Sequence, residues 1–344
     1  MLSNLSLPTC FKPARRFRSI AGMLLALLAF SIVALVQQAN AAPVKIFIMA
    51  GQSNMQGHGE LNPSTTTGTL SHLVANDPEG KYQFLLDGAS WKVRDDVLIH
   101  YQRNVPLGSG VREGGLTVGY GANSGNVTSG PELGFGHVLG DVHESKILLI
   151  KTCWGGKSLG VDFLPPSSES YPTPTAEGDK GFFYEKILEI VSDVTTNIAS
   201  HVPGYSGEGY EIAGFAWHQG WNDRVTPAFA ADYETNMANF IRDIRTDLDV
   251  PGLPFVIATS AMDGNGPGLY TQVELAQRAM TDPYLTNVSP PDLYSDFVGN
   301  VAVIDCRTTY DGMDFWQPSE FSPSSQGYHW NRNAKTYLHI GQAM

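Results

Sequence analysis

The sequence predicts an α/β fold, a doubly wound parallel sheet of about five strands with helices on both faces. Two observations carry that prediction. Five short runs, 44–49, 146–152, 212–217, 254–260 and 301–305, are near-continuously apolar rather than alternating. Strands of that kind belong to parallel sheets covered on both sides. Between them lie helical patterns. The stretch 181–200 sets Phe183, Ile187, Ile190, Val191, Val194 and Ile198 on one stripe, and 227–248 does the same with Phe229, Tyr233, Met237, Phe240, Ile241 and Ile244. Strands alternating with amphipathic helices give a doubly wound sheet.

The elements follow in order. The first run breaks directly into Ala50-Gly51-Gln52-Ser53, a buried strand ending in a tight turn. Gly130-Pro131-Glu132 reads as a helix start, with Pro in the first turn and an acid at the positive dipole end. The stretch 331–344 is a last amphipathic helix. The segment 57–129, rich in Gly, Ser, Thr and Asn with strand-like pieces such as 91–101, breaks the alternation. It is expected to be an irregular insertion over one edge of the ligand crevice, which doubly wound folds build at the carboxyl ends of their strands. The stretch 165–175 reads as a second loop of that kind.

The chain has 344 residues, 42% hydrophobic and 16% charged, with a formal net charge of −12. That is globular composition, and its acidity excludes a phosphate-tracking nucleic-acid surface. The basic cluster Lys12, Arg15, Arg16 and Arg18 precedes an uncharged apolar run over 20–36 and then Ala39-Asn40-Ala41. This pattern reads as a signal peptide over 1–41, leaving one domain over 42–344 that is secreted or periplasmic, with no membrane contact after cleavage. Cys10 would leave with the signal. Cys153 and Cys306 each follow a strand-like run and read as buried thiols, so a disulfide framework is excluded. No CxxC, HExxH or paired-histidine spacing occurs, and neither metal nor cofactor is expected.

Three strand ends carry the candidate chemistry. Ser53 lies in Gly51-Gln52-Ser53-Asn54-Met55, just past the first strand. A serine hydroxyl needs a base within reach and donors for the oxyanion it generates. Cys153-Trp154-Gly155-Gly156 and Trp217-His218-Gln219-Gly220-Trp221-Asn222-Asp223 end two further strands on the same sheet edge. Gly156 there offers a backbone N–H and Gln219 a side-chain amide. Gln52 and His218, in the same turns, are further candidate substrate-binding groups.

The set GQSNM, GPELGFG, CWGGKSL and WHQGWND, in that order, resembles the sialate O-acetylesterase-type branch of the SGNH hydrolases, the group that includes carbohydrate esterase family 6. The resemblance spans 44 to the last helix. It implies a flavodoxin-like three-layer fold, with Ser53 attacking an acetyl ester on a sugar such as acetylated xylan or O-acetylated sialic acid. Carried over by position, Ser53 is the nucleophile, Gly156 the oxyanion glycine and Gln219 the amide donor. His329, before the last helix, matches the family's base, while His339 falls on the helix stripe and reads as packed. Two positions depart from the pattern. Trp221 stands where the family commonly has glutamate, and Gln326 where an acid usually precedes the histidine. The orienting acid is therefore open among Asp223, Asp314, Glu320 and a backbone carbonyl, with Asp223 the first choice. A non-catalytic glycan-binding protein on the same fold is the alternative reading.

Overall fold

In the computed structural model, residues 42–123, 125, 127–262, 270–281 and 293–344 are described; the expected signal peptide over 1–41 lies outside them. Strand β1 (Val44–Gly51) is flanked by β4 (Ile147–Cys153) and β5 (Tyr210–His218), both parallel to it. Beyond β5 come β6 (Phe255–Ala258) and β7 (Val301–Ile304). Beyond β4 come β2 (Val97–Gln102) and β3 (Val111–Gly115), giving the order β7-β6-β5-β1-β4-β2-β3. Within this sheet, among the described residues, only β3 runs antiparallel, against β2.

The expected parallel sheet is present, with seven strands rather than about five. Both additional strands come from the segment read as irregular. β2 is buried along its whole length and pairs parallel to β4, and β3 forms a hairpin edge on it. The sequence of β3, Val111-Arg112-Glu113-Gly114-Gly115, has a single strand former, Val111, and none of its residues is fully buried, so it fills no core face.

The helices are α1 (Ser53–Gln56), α2 (Leu70–Ala75), α3 (Glu132–Val142), α4 (Phe182–Thr196), α5 (Ile198–His201), α6 (Trp221–Arg224), α7 (Pro227–Asp247), α8 (Gln272–Ala279) and α9 (Ala334–Ala343). Period-two alternation in β1 divides the core between the two faces of the sheet. Ile46 and Ile48 pack with the stripes of α4 and α7, while Phe47 and Met49 pack with Phe135 of α3. α3 lies against α9. Cys153 and Cys306 are free and buried, and burial pushes the Cys153 thiol up to about 12. Among the described residues, no helix is long and apolar enough to cross a membrane.

Candidate active site

The nucleophile turn is fixed by close backbone packing. At Gly51 (φ +148) a Cβ would stand 2.3 Å from the His218 carbonyl oxygen, so only glycine lets the ends of β1 and β5 meet. At Gly57 (φ +88) a Cβ would fall 1.9 Å from Gly130 Cα, which seats the turn against the start of α3. Gln52 ties the turn to the third strand end. Its Oε1 accepts from Gly220 N (3.0 Å) and Asn222 N (3.4 Å), and its Nε2 donates to Asn222 Oδ1 (3.3 Å). Behind α1, the fully buried Lys151 donates to Gln56 O (2.8 Å), Tyr120 O (2.9 Å) and Glu132 Oε2 (2.6 Å). Ser53 opens α1 within this frame, and its hydroxyl has no hydrogen-bond partner among the described residues.

Asn54, the next residue, brings in the histidine loop. Its Nδ2 donates to Tyr328 O (2.9 Å), and its Oδ1 accepts from Tyr337 Oη (2.7 Å), which also contacts His329 O (3.1 Å). The Tyr328 carbonyl is thus held from the nucleophile turn, and the His329 carbonyl lies against Tyr337 of α9, the same hydroxyl that meets Asn54. Just after His329 the backbone runs through three left-handed residues, Trp330, Asn331 and Arg332 (φ +50, +52 and +59). Such conformations cost about 1–3 kcal/mol each and persist only where the surroundings impose them. Here Trp330 Nε1 donates to His218 Nε2 (3.4 Å), Asn331 Nδ2 to Gln317 O (3.0 Å), and Arg332 pairs with Glu60 (3.0 Å).

The His329 ring stacks on His58, centroids 3.8 Å apart and planes 9° from parallel, with Tyr328 on its edge at 4.6 Å. Burial, reinforced by the Arg332 charge, lowers His329 to about 4, and burial together with His329 lowers His58 to about 3. Both rings are therefore neutral at pH 7, the form a general base needs. His329 Nδ1 is buried without a partner.

The expectation that Asp223 orients His329 does not match its contacts. Asp223 is buried and accepts from Leu159 N (3.0 Å), Gly160 N (2.9 Å) and Gln219 Nε2 (2.5 Å), clamping the loop after β4. Burial raises it to about 6, against three hydrogen bonds that favour the carboxylate. Gln219 is committed too. Its amide donates to Asp223 and to Lys157 O (3.0 Å), and its Oε1 accepts from Tyr233 (2.9 Å), so no donor is left for an oxyanion. His218 is a fully buried brace, with Nδ1–H on Ala258 O (3.0 Å) and Nε2 under Trp330. Asp314 and Glu320 are exposed and make no contact with His329 among the described residues. His339 is packed as expected, between Tyr82 Oη (3.0 Å) and Asp314 O (3.1 Å).

Three residues escaped the sequence reading. Asn222, half-buried in the WHQGWND turn, donates through Nδ2 to Gly156 O (2.6 Å), keeping a second amide proton beside the exposed Gly155-Gly156 pair. A Cβ at Gly155 would stand 3.8 Å from Ser53 Cβ, so this pair flanks the nucleophile. Asn54 and His58 are the other two. Asn222 and Asn54 lay inside motifs already singled out, whereas His58 becomes visible only through its stacking partner 271 positions away.

The family model for "Carbohydrate esterase, sialic acid-specific acetylesterase" matches residues 43–297. The chain belongs to this family. It is by that membership a carbohydrate O-acetylesterase. Among curated proteins none matches. Of the solved structures, one from Arabidopsis thaliana is similar at 17% identity and a TM-score of 0.52, over 88% of this chain and 95% of that one. A carbohydrate acetylesterase from Xanthomonas citri shares 16% identity at a TM-score of 0.43, over 86% of this chain and 54% of that one. NanS shares 13% at 0.47, over 84% and 85%. At such identities, only the first likeness bears on the fold.

Beside Ser53 the esterase has an open, polar groove lined by Gln56, Arg103, Asn104, Trp154, Gly155 and Lys157. On the histidine side, Trp221 and Tyr328 stand 5.8 Å apart and form an aromatic wall. A cavity lined by Phe47, Phe135, Phe255 and Met344 is apolar and holds none of these site residues. Among the described residues, no group of three metal-ligating side chains converges at the serine turn.

Proposed function

We propose that this esterase removes O-acetyl groups from carbohydrate through an acyl-serine intermediate, outside the cytoplasm. Ser53 Oγ attacks the acetyl carbonyl while His329 takes its proton. The oxyanion is met by the N–H groups of Ser53 and Gly156 and by the second amide proton of Asn222. Collapse releases the sugar hydroxyl, which takes the proton back from His329. Water, deprotonated by the same ring, then attacks the acyl group and frees acetate, regenerating Ser53. His329 works without a carboxylate partner, held by stacking and by its backbone, in a serine–histidine dyad.

The observation that carries this reading is that Asn54, the residue beside Ser53, binds the Tyr328 carbonyl and shares Tyr337 with the His329 carbonyl. The exposed Tyr328 and half-buried Trp221 suit the apolar face of a sugar ring, and acetylated xylan and O-acetylated sialoglycans are the candidate substrates. Export rests on the pattern of residues 1–41, and N-terminal sequencing of the exported protein should begin at Ala42. Acetate release from a panel of those two glycan classes, compared between wild type and Ser53→Ala, tests the chemistry. Retention of more than about a tenth of the rate by Ser53→Ala refutes the acyl-serine route.

A further inference from the structure

Away from the esterase site, three metal-ligating side chains meet at the β3 edge of the sheet. His100 on β2 and Glu113 on β3 are directly opposite in the antiparallel register, and His201 comes from the end of α5. His100 Nδ1 lies 3.2 Å and His201 Nδ1 3.0 Å from the same oxygen, Glu113 Oε2. All three ligand atoms fall within 4.8 Å of one another, and the imidazoles are nearly perpendicular, at 83°. A tetrahedral ion with bonds of about 2.0–2.1 Å requires ligand atoms about 3.3 Å apart. Both measured edges are within a few tenths of an ångström of that value.

We propose that His100, Glu113 and His201 bind one divalent transition-metal ion of the zinc class, which clips the edge hairpin to α5. Two imidazoles and a carboxylate form a donor set suited to zinc, leaving one position for water. His100 and His201 are mostly buried while half of Glu113 is exposed, which leaves an entry path. No local motif announces the site, because its ligands are 13 and 88 positions apart. A clip here would fasten β3, an edge strand that pairs with β2 alone.

The test uses full-length protein stripped with a chelator and titrated with zinc chloride alone. The expected result is close to one zinc per chain by calorimetry. The melting temperature should rise by about 5 °C or more with zinc at a hundredfold its Kd. His201→Gln keeps a donor for Glu113 but loses the imidazole, and should lose the bound zinc and the thermal shift while retaining wild-type esterase activity. Cobalt substituted at the site should give tetrahedral absorption bands that are absent in His201→Gln. Stoichiometry below about 0.2, or an equal thermal shift in wild type and His201→Gln, would overturn the proposal. In that case the cluster is a hydrogen-bonded triad only.

Discussion

His58 and His329 stack face to face, 3.8 Å between centroids, so the candidate base is covered by a second neutral imidazole instead of being tethered by a carboxylate. Burial and the Arg332 charge hold His329 near 4. The base must be neutral to act, so kcat/KM should fall as pH drops through about 4 rather than through the usual 6.5. Arg332→Gln removes a cation that disfavours imidazolium and should move that acidic limb upward. A wild-type limb near 6.5, unmoved in Arg332→Gln, would show the ring to be solvated.

The stack itself can be weighed against simple space-filling. His58→Ala bares one face of His329 to water, which relieves desolvation and lets the ring turn. At about 0.5–1.5 kcal/mol for an aromatic pair, kcat should fall about 2- to 12-fold and the acidic limb should rise. His58→Phe restores a flat partner and should recover both. If His58→Phe behaves like His58→Ala, the second imidazole contributes by its nitrogens, not its face.

In the proposed mechanism Asn222, not Gln219, is the side-chain amide that meets the oxyanion. With its second amide proton uncommitted beside Gly156, Asn222 should act on the transition state, and Asn222→Ala should lower kcat by about 10² to 10³ with a smaller change in KM. Gln219→Ala instead strands Asp223, Tyr233 and the Lys157 carbonyl, at a stability cost of about 1–3 kcal/mol with kcat changed only several-fold. The opposite pattern would return the oxyanion role to Gln219.

The contrast between these two residues marks what the sequence could carry. Apolar runs placed β1, β4, β5, β6 and β7 because buried parallel strands leave a composition signal. Edge strand β3 leaves almost none, and β2 is flanked by polar loops. Likewise the turns bearing Ser53 and Asp223 were legible as strand ends, but spacing along a chain does not say which atoms a side chain touches. Asp223 looked like a triad acid because it closes the right turn. Its oxygens are consumed by Leu159 and Gly160 on the neighbouring loop, a contact between segments 64 and 63 positions apart.

Acid stability follows from the buried histidines. Burial lowers His58 to about 3 and His137, His218, His329 and His339 each to about 4, so the folded chain declines protons that the unfolded chain accepts near 6.5. Stability should therefore be complete above about pH 6.5 and be lost as pH falls from 6.5 towards 4. Asp223, raised by burial to about 6, works in the opposite direction between about 6 and 4, as does Glu185, raised by burial, but the lowered histidines outnumber them. Thermal melts at pH 7.5 and 5 check the sign; a higher melting temperature at pH 5 would contradict it.

The buried Lys151–Glu132 pair links stability to the nucleophile. Lys151 sits inside an otherwise apolar strand, an anomaly that composition alone leaves unexplained, and its ammonium grips Gln56 O at the end of the short helix that Ser53 begins. Lys151→Met leaves the Glu132 carboxylate buried with only the Gly130 N–H, and should cost about 3–5 kcal/mol. Adding Glu132→Gln removes the stranded charge and should restore much of that stability, since a neutral amide tolerates burial far better. The Gln56 carbonyl still lacks its donor in the double variant, so the turn carrying Ser53 stays loose and kcat should remain depressed after the melting temperature has recovered. If kcat recovers in step with stability, Lys151 only neutralises Glu132. If stability recovers and kcat does not, the ammonium is a positioning group for the serine, acting through one backbone carbonyl.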